Sequence, residues 1–225
     1  MQLITCEKSC RIILVRHGQT QWNNDYKFQG MTDTSLDDEG IKQAEKLAIR
    51  LSTWPPEVIY TSPLKRAYTT AEAISRQFDI QPTVMPELEE VNFGSWEGAS
   101  IHNIERDTPE IFSRWRADPF FNPPEGGESW PEISSRLTRA VNTMLASNHE
   151  RIVAVTHGGV IRALFAVILG VDPHKAWNVE VSNCAITGIE FRGGMARLHF
   201  ANDDMHIRGG ENGVKMPLWG ERYEP

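Results

Sequence analysis

A chain of 225 residues, 40% apolar and 24% charged, is long enough for one sizeable globular α/β domain and is not the composition of a disordered one. Its net charge of −7 excludes a general nucleic-acid binder, which needs a basic surface, yet leaves room for a local arginine cluster around a small anion. The longest apolar run, Ala163 to Val171, is about half of a membrane span, and the residues before Arg11 lack the pattern of a signal peptide, so the expected compartment is the cytoplasm.

Short β-rich runs alternate with helical patterns, which predicts a sheet covered by helices. Arg11 to Val15 reads as the first strand, followed at once by Arg16-His17-Gly18 and then by a polar loop through Gly30. Ile41, Ala44, Leu47, Ala48 and Leu51 share one face of a predicted helix from about Asp37 to Ser52, stopped by Trp54-Pro55-Pro56. Val58 to Thr61 is a second strand. Ser62-Pro63 reads as an N-cap with proline in the first turn of a helix that runs to about Phe78. Gln81 to Met85 is a short strand, and Leu88 to Gly98 a loop rich in charge and aromatics. Ser100 to Ala117 is helical with a break near Pro109. Asn122 to Gly127 is a loop, and Trp130-Pro131 opens a helix burying Ile133, Leu137, Ala140, Val141, Met144 and Leu145. Ile152 to Thr156 is a buried strand, followed by a helix from about Val160 to Leu169. Cys184 to Phe191 and Met195 to Ala201 form a hairpin around Gly193-Gly194. Residues 1–201 read as one domain with a cap segment at about 99–130, and residues 202–225 as a tail without periodicity. Cys6, Cys10 and Cys184 are too few and too scattered for a disulfide framework or a metal site.

His17 and His157 each follow an apolar strand and each precede a glycine. In an open parallel sheet the strand C-termini form the ligand crevice, so the two imidazoles can share one edge. Arg16 and Arg66 fall at the same edge, and guanidinium forks suit phosphate oxygens. Arg66, near a helix start, is poorly placed for the macrodipole, which points to an anion, with a surface salt bridge as the ordinary alternative. Arg162, one turn beyond His157, reads equally as a structural partner or a ligand. Glu89 and Glu90 offer a carboxyl on a loop for proton transfer.

Arg16-His17-Gly18-Gln19-Thr20 with Trp22-Asn23, Thr61-Ser62-Pro63-Leu64-Lys65-Arg66-Ala67, Leu88 to Gly98, and Thr156-His157-Gly158-Gly159 stand in one order along the chain. Together they resemble the four blocks of the histidine phosphatase (phosphoglycerate mutase-like) superfamily, over roughly Arg11 to Ala201. The resemblance implies a three-layer α/β/α sandwich around a mixed, mostly parallel sheet. It implies His17 as the nucleophile of a covalent phosphohistidine mechanism. Arg16, Arg66 and His157 would form the phosphate pocket, with Asn23, Gln29, Gly30 and Gly158 as further contacts. Glu90 matches the third residue of the family's Leu-x-Glu and would be the proton donor, with Glu89 as the alternative if the loop slips by one. Two arginines and a protonatable imidazole would supply the positive charge, and neither a metal nor another cofactor is expected.

The superfamily holds phosphatases and mutases, so the fold does not choose the reaction. Gly126-Gly127-Glu128-Ser129 and Val181 to Thr187 resemble the phosphatase branch, including the α-ribazole phosphatase group, and the segment from Gly98 to Trp130 is shorter than a mutase insertion. The expected function is therefore hydrolysis of a small phosphorylated metabolite. The alternatives are a 2,3-bisphosphoglycerate-dependent phosphoglycerate mutase and a non-catalytic binding member. Partners on a nucleic acid or membrane are not expected, while the edge strand of the terminal hairpin is compatible with a homodimer.

Overall fold

The computed structural model of the protein describes residues 2–4, 9–209 and 218. Six strands form one mixed sheet among them: β1 (Cys10–Arg16), β2 (Val58–Thr61), β3 (Thr83–Val84), β4 (Arg151–Thr156), β5 (Ile186–Arg192) and β6 (Met195–Asp203), in the order β3-β2-β4-β1-β5-β6. β3, β2, β4 and β1 are mutually parallel, and β5 and β6 are antiparallel to their neighbours. Alternation divides the central strands cleanly. Ile13 and Val15 of β1, with Val153 and Val155 of β4, face α2 (Asp38–Leu51) and α3 (Lys65–Phe78). Ile12 and Leu14, with Ile152 and Ala154, face α6 (Trp130–Ala146) and α7 (Gly158–Leu169). Helices on both faces explain why these strands are apolar throughout. The result is the expected three-layer α/β/α sandwich.

Several local expectations shift. The polar loop after β1 contains a helical turn, α1 (Gln21–Asn24), because Thr20 and Asn23 complete a capping box. Ile41 is 44% exposed: the buried stripe of α2 runs through Gly40, Gln43, Ala44, Leu47, Ala48 and Leu51 instead. Ser62 is not the N-cap of α3. Leu64 occupies that place without a side-chain bond, and the Ser62 hydroxyl turns into the sheet edge. The 81–85 strand pairs only at Thr83–Val84. The helical region after Gly98 divides as expected at Pro109, into α4 (Ile101–Asp107) and α5 (Pro109–Ala117). A turn of helix, α8 (Pro173–Ala176), follows α7. Residues 202–209 are structured: β6 continues to Asp203, and α9 (Met205–Arg208) buries His206 beside α2. Leu218 is buried with the α2–α3 layer, while the rest of the expected tail, and Cys6, lie outside the described residues. Cys10 and Cys184 are buried thiols.

The first turn of α2 fixes the chain just past His17. Asp37 caps it by accepting from Gly40 N–H at 2.8 Å. A Cβ at Gly40 would lie 2.7 Å from Gln19 N, and one at Gly18 would lie 2.5 Å from Gly40 O. Only glycine at both positions permits this backbone approach. Gly40→Ala is expected to destabilise the protein by about 1–3 kcal/mol through overpacking. Urea unfolding would read this, with exposed Glu45→Ala as a control expected within about 0.5 kcal/mol.

Candidate active site

Parallel pairing of β1 with β4 sets Arg16 opposite Thr156, and His17 N–H donates to Thr156 O at 2.9 Å. The next residues along the two strands, His17 and His157, therefore meet with ring centroids 5.2 Å apart. Both side chains are fully buried. His17 Nδ1–H donates to its own neighbour's carbonyl, Gly18 O, at 2.7 Å. A carbonyl only accepts, so this bond places the proton on Nδ1 and leaves the lone pair on Nε2. Burial, and then the charges of Arg66 and Arg16, hold the His17 pKa well below the ordinary imidazole value. Burial and Arg66 hold His157 low in the same way. The expectation that an imidazole supplies positive charge is thus corrected: in the protein alone both rings are neutral, and their contribution is a lone pair and hydrogen bonds.

The positive charge comes from guanidiniums. Arg66 is completely buried at the start of α3, where Nη1 donates to Thr32 O at 2.8 Å and Nη2 to Gly30 O at 2.7 Å. Arg16 Nη1 donates to Val181 O at 2.6 Å. Neither forms a salt bridge among the described residues, and the Nε atom of each is buried without a partner. Burial lowers both pKa values to about 10, so both remain cations at neutral pH. Arg162 adds a third cation at the margin: its Nε donates to Val179 O at 2.9 Å and its guanidinium lies over Trp177. Its charge bears on Arg16, and the carboxylates of Glu90 and Glu180 bear on it in turn.

Of the two candidate acids, the loop brings Glu90 to the arginines. Its carboxylate bears electrostatically on Arg16, Arg66 and Arg162. One oxygen accepts from Val91 N–H at 2.9 Å, and the other from Gly159 N–H at 3.3 Å, in the first turn of α7. Glu89 and Glu90 both line a cavity of about 320 Å³ with Glu128 and Arg136, but no such electrostatic interaction joins Glu89 to Arg16 or Arg66, and burial lifts its carboxyl above the usual range.

The remaining candidates form the surround. Gly158 opens α7, and a Cβ there would lie 3.1 Å from Arg162 Nη1 and 3.5 Å from Arg16 Nε. The N-terminus of that helix favours an anion. Asn23 Oδ1 accepts from Thr20 N–H and Oγ1–H and from Asn183 Nδ2, while Asn183 also donates to His17 O at 3.1 Å. Gln29 is buried and accepts from Thr34 Oγ1–H at 2.8 Å; Gly30 serves through its carbonyl to Arg66. Three contributors escaped the sequence reading. Ser62 Oγ lies 2.8 Å from His157 Nε2 and accepts from Leu64 N–H. Glu97 accepts from Met31 and Thr32 N–H, shaping the loop whose carbonyls hold Arg66. Arg136 braces the acid loop. The Gly126-Gly127-Glu128-Ser129 block was a signal for the last, since Glu128 is the ion-pair partner of Arg136.

Two buried neutral imidazoles beside two guanidiniums, with a carboxyl on a facing loop, can receive a phosphoryl group. The profile of the "Histidine phosphatase superfamily (branch 1)" matches residues 12–204, and the chain belongs to that family. It is a histidine phosphatase enzyme acting on small phosphorylated substrates. It is similar to phosphoserine phosphatase 1 of Hydrogenobacter thermophilus, at 33% identity over 80% of this chain and 85% of that one. It is also similar to the adenosylcobalamin/α-ribazole phosphatase of Escherichia coli, at 30% identity over 85% of this chain and 95% of that one. Among solved structures it resembles mycobacterial glucosyl-3-phosphoglycerate phosphatase complexed with VO3, with a TM-score of 0.79 and 30% identity over 86% of this chain and 99% of that one.

A histidine with a depressed folded pKa is neutral when folded and charged when unfolded below its ordinary value. The unfolded state then binds more protons, and stability falls as pH drops below about 6.5. His17 and His157 are both expected to contribute to that loss, so stability falls progressively as pH drops below about 6.5. Urea unfolding across pH 5–7 tests this; a flat stability profile would mean ordinary, accessible imidazoles.

Proposed function

We propose that the protein hydrolyses a small phosphomonoester without a metal, through a covalent phosphohistidine on His17. The observation that carries this reading is the fixed His17 tautomer, with its Nε2 lone pair in the field of Arg16 and Arg66. His17 Nε2 attacks phosphorus, and the bond to the leaving oxygen breaks. Glu90 in its acid form gives its proton to that oxygen, releasing the alcohol. Glu90, now a carboxylate, takes a proton from water as the water oxygen attacks phosphohistidine. The P–N bond breaks, inorganic phosphate leaves, and His17 is restored.

Arg16 and Arg66 match the two charges of a phosphate dianion, which supports operation without a metal. The buried, unpartnered Nδ1 of His157 supports a role as an N–H donor to a phosphate oxygen. That tautomer needs a donor on Nε2, and Ser62 Oγ–H, whose oxygen already accepts from Leu64, supplies it. Relatives named for phosphoserine, α-ribazole and glucosyl-3-phosphoglycerate support a phosphorylated small metabolite as substrate. The segment between Gly98 and α6 holds only α4, α5 and a loop, which supports access of water and hence hydrolysis over phosphoryl transfer to a second alcohol. We read it as the cap of a single domain, and the cytoplasm as the compartment; no helix among the described residues is long and apolar enough to cross a membrane.

His17→Ala is expected to abolish turnover and acid-labile phosphate labelling while the protein remains folded by circular dichroism. Arg66→Ala is expected to lower kcat/KM by about 10²–10³-fold, the scale of losing one charge-stabilising donor. The assay compares phosphate release from a panel of phosphomonoesters, with chelator present, against conversion of 3-phosphoglycerate to 2-phosphoglycerate with 2,3-bisphosphoglycerate supplied. Isomerisation faster than phosphate release would replace the hydrolase reading with the mutase.

A further inference from the structure

We propose that Arg136 is the positioning residue of Glu90, holding the acid loop in its working geometry from the far side; this rests on Glu90 as the proton donor. Residues 89–93 have no regular secondary structure, so something other than a ladder must satisfy their carbonyls. The carbonyls of Glu87, Glu89 and Glu90 all converge on the Arg136 guanidinium of α6. Nη1 donates to Glu87 O at 2.7 Å and Glu89 O at 2.9 Å, and Nη2 to Glu90 O at 3.3 Å. The remaining donors meet Glu128 as a bidentate pair, Nε to Oε1 at 2.6 Å and Nη2 to Oε2 at 2.8 Å. All five N–H groups of the fork are therefore engaged. The two side chains are only 13% and 15% exposed.

This saturation separates Arg136 from the arginines of the phosphate site. A guanidinium neutralised by a bidentate carboxylate, with no donor to spare, orders a backbone; it has nothing left for an anion. The loop's other bonds complete the brace. Thr156 Oγ1–H donates to Leu88 O at 2.7 Å, and Glu128 N–H donates to Asn92 O at 2.9 Å. Glu90 is thus held by its own carbonyl on one side and by Gly159 N–H through its carboxylate on the other. Lysine could pair with Glu128 but presents a single point charge, not a planar fork across three carbonyls.

A positioning role predicts a specific kinetic signature. An alkyl phosphate needs a proton on its leaving oxygen, whereas p-nitrophenolate leaves without one. The first phosphoryl transfer is measured by rapid quench with 3-phosphoglycerate and with p-nitrophenyl phosphate. In Arg136→Gln the ratio of the alkyl to the aryl rate is expected to fall about 30-fold or more, since misplacing a catalytic group by about 1 Å can cost 10²-fold. Arg136→Lys is expected to fall between the two. Equal slowing of both substrates, or no slowing, would overturn the proposal. Should Arg136→Gln fail to fold, Glu128→Gln, which keeps the guanidinium but loosens its anchor, carries the same comparison. Absence of a labelled phosphoenzyme in the unaltered protein would instead overturn the phosphohistidine reading, so the two failures are distinguishable.

Discussion

Parallel pairing of β1 with β4, in the register that sets Arg16 against Thr156, holds the site together. Side chains alternate along a strand, so a slip of one residue would send Ile12 and Leu14 to the wrong layer. The two apolar layers therefore lock the register, and the register delivers His17 and His157 to one point at the sheet edge. The chemistry inherits its precision from core packing several residues away. Gly18 and Gly40 then fix the exit path, since the approach of α2 to the 17–19 backbone leaves no room for a Cβ.

Buried and half-buried arginines fall into two kinds by what faces them. Arg50 pairs with Asp203, and Arg136 with Glu128, each in a salt bridge. Arg16, Arg66 and Arg162 donate to backbone carbonyls and form no salt bridge among the described residues. A carbonyl orients a guanidinium without cancelling its charge. Three cations without a salt bridge at one edge of the sheet, even with the Glu90 carboxylate bearing on all three, would be costly without a purpose. Burial, and then the same field, push both imidazoles to their neutral form, and a neutral imidazole is the one with a lone pair to give.

Much of this was legible in the sequence, for identifiable reasons. Apolar runs ending in Arg16-His17 and Thr156-His157 announced two strand ends, and parallel sheets collect such ends at one edge. Local capping was harder to read. Ser62 looked like an N-cap because Ser-Pro commonly opens a helix, but its hydroxyl is engaged by His157, 95 residues away. Ile41 fitted a helical face that rotates once Gly40 must abut Gln19. Arg136 was harder to read: Glu128 in the Gly126 to Ser129 block points to an ion-pair partner, but the loop carbonyls that Arg136 also holds, nearly fifty residues upstream, carry no sequence signal.

The cap and the acid form one packed body. Trp96 of the acid loop packs against Phe112 and Trp115 of α5, and Phe93 meets Trp115 edge-on, with Phe28 and Trp177 closing the cluster. Gly94, at φ +52°, lets the same loop press against the Glu125–Gly127 backbone. Aromatic interlocking of this kind resists independent movement, because each ring fills space that its neighbours define. A change in the cap that admits a different leaving group would therefore also move the loop that carries Glu90, the proposed proton donor. Under the proposed mechanism, substrate choice and acid catalysis are mechanically linked. The Arg136–Glu128 pair, joining α6 to that loop, is where the link is anchored to the rigid core.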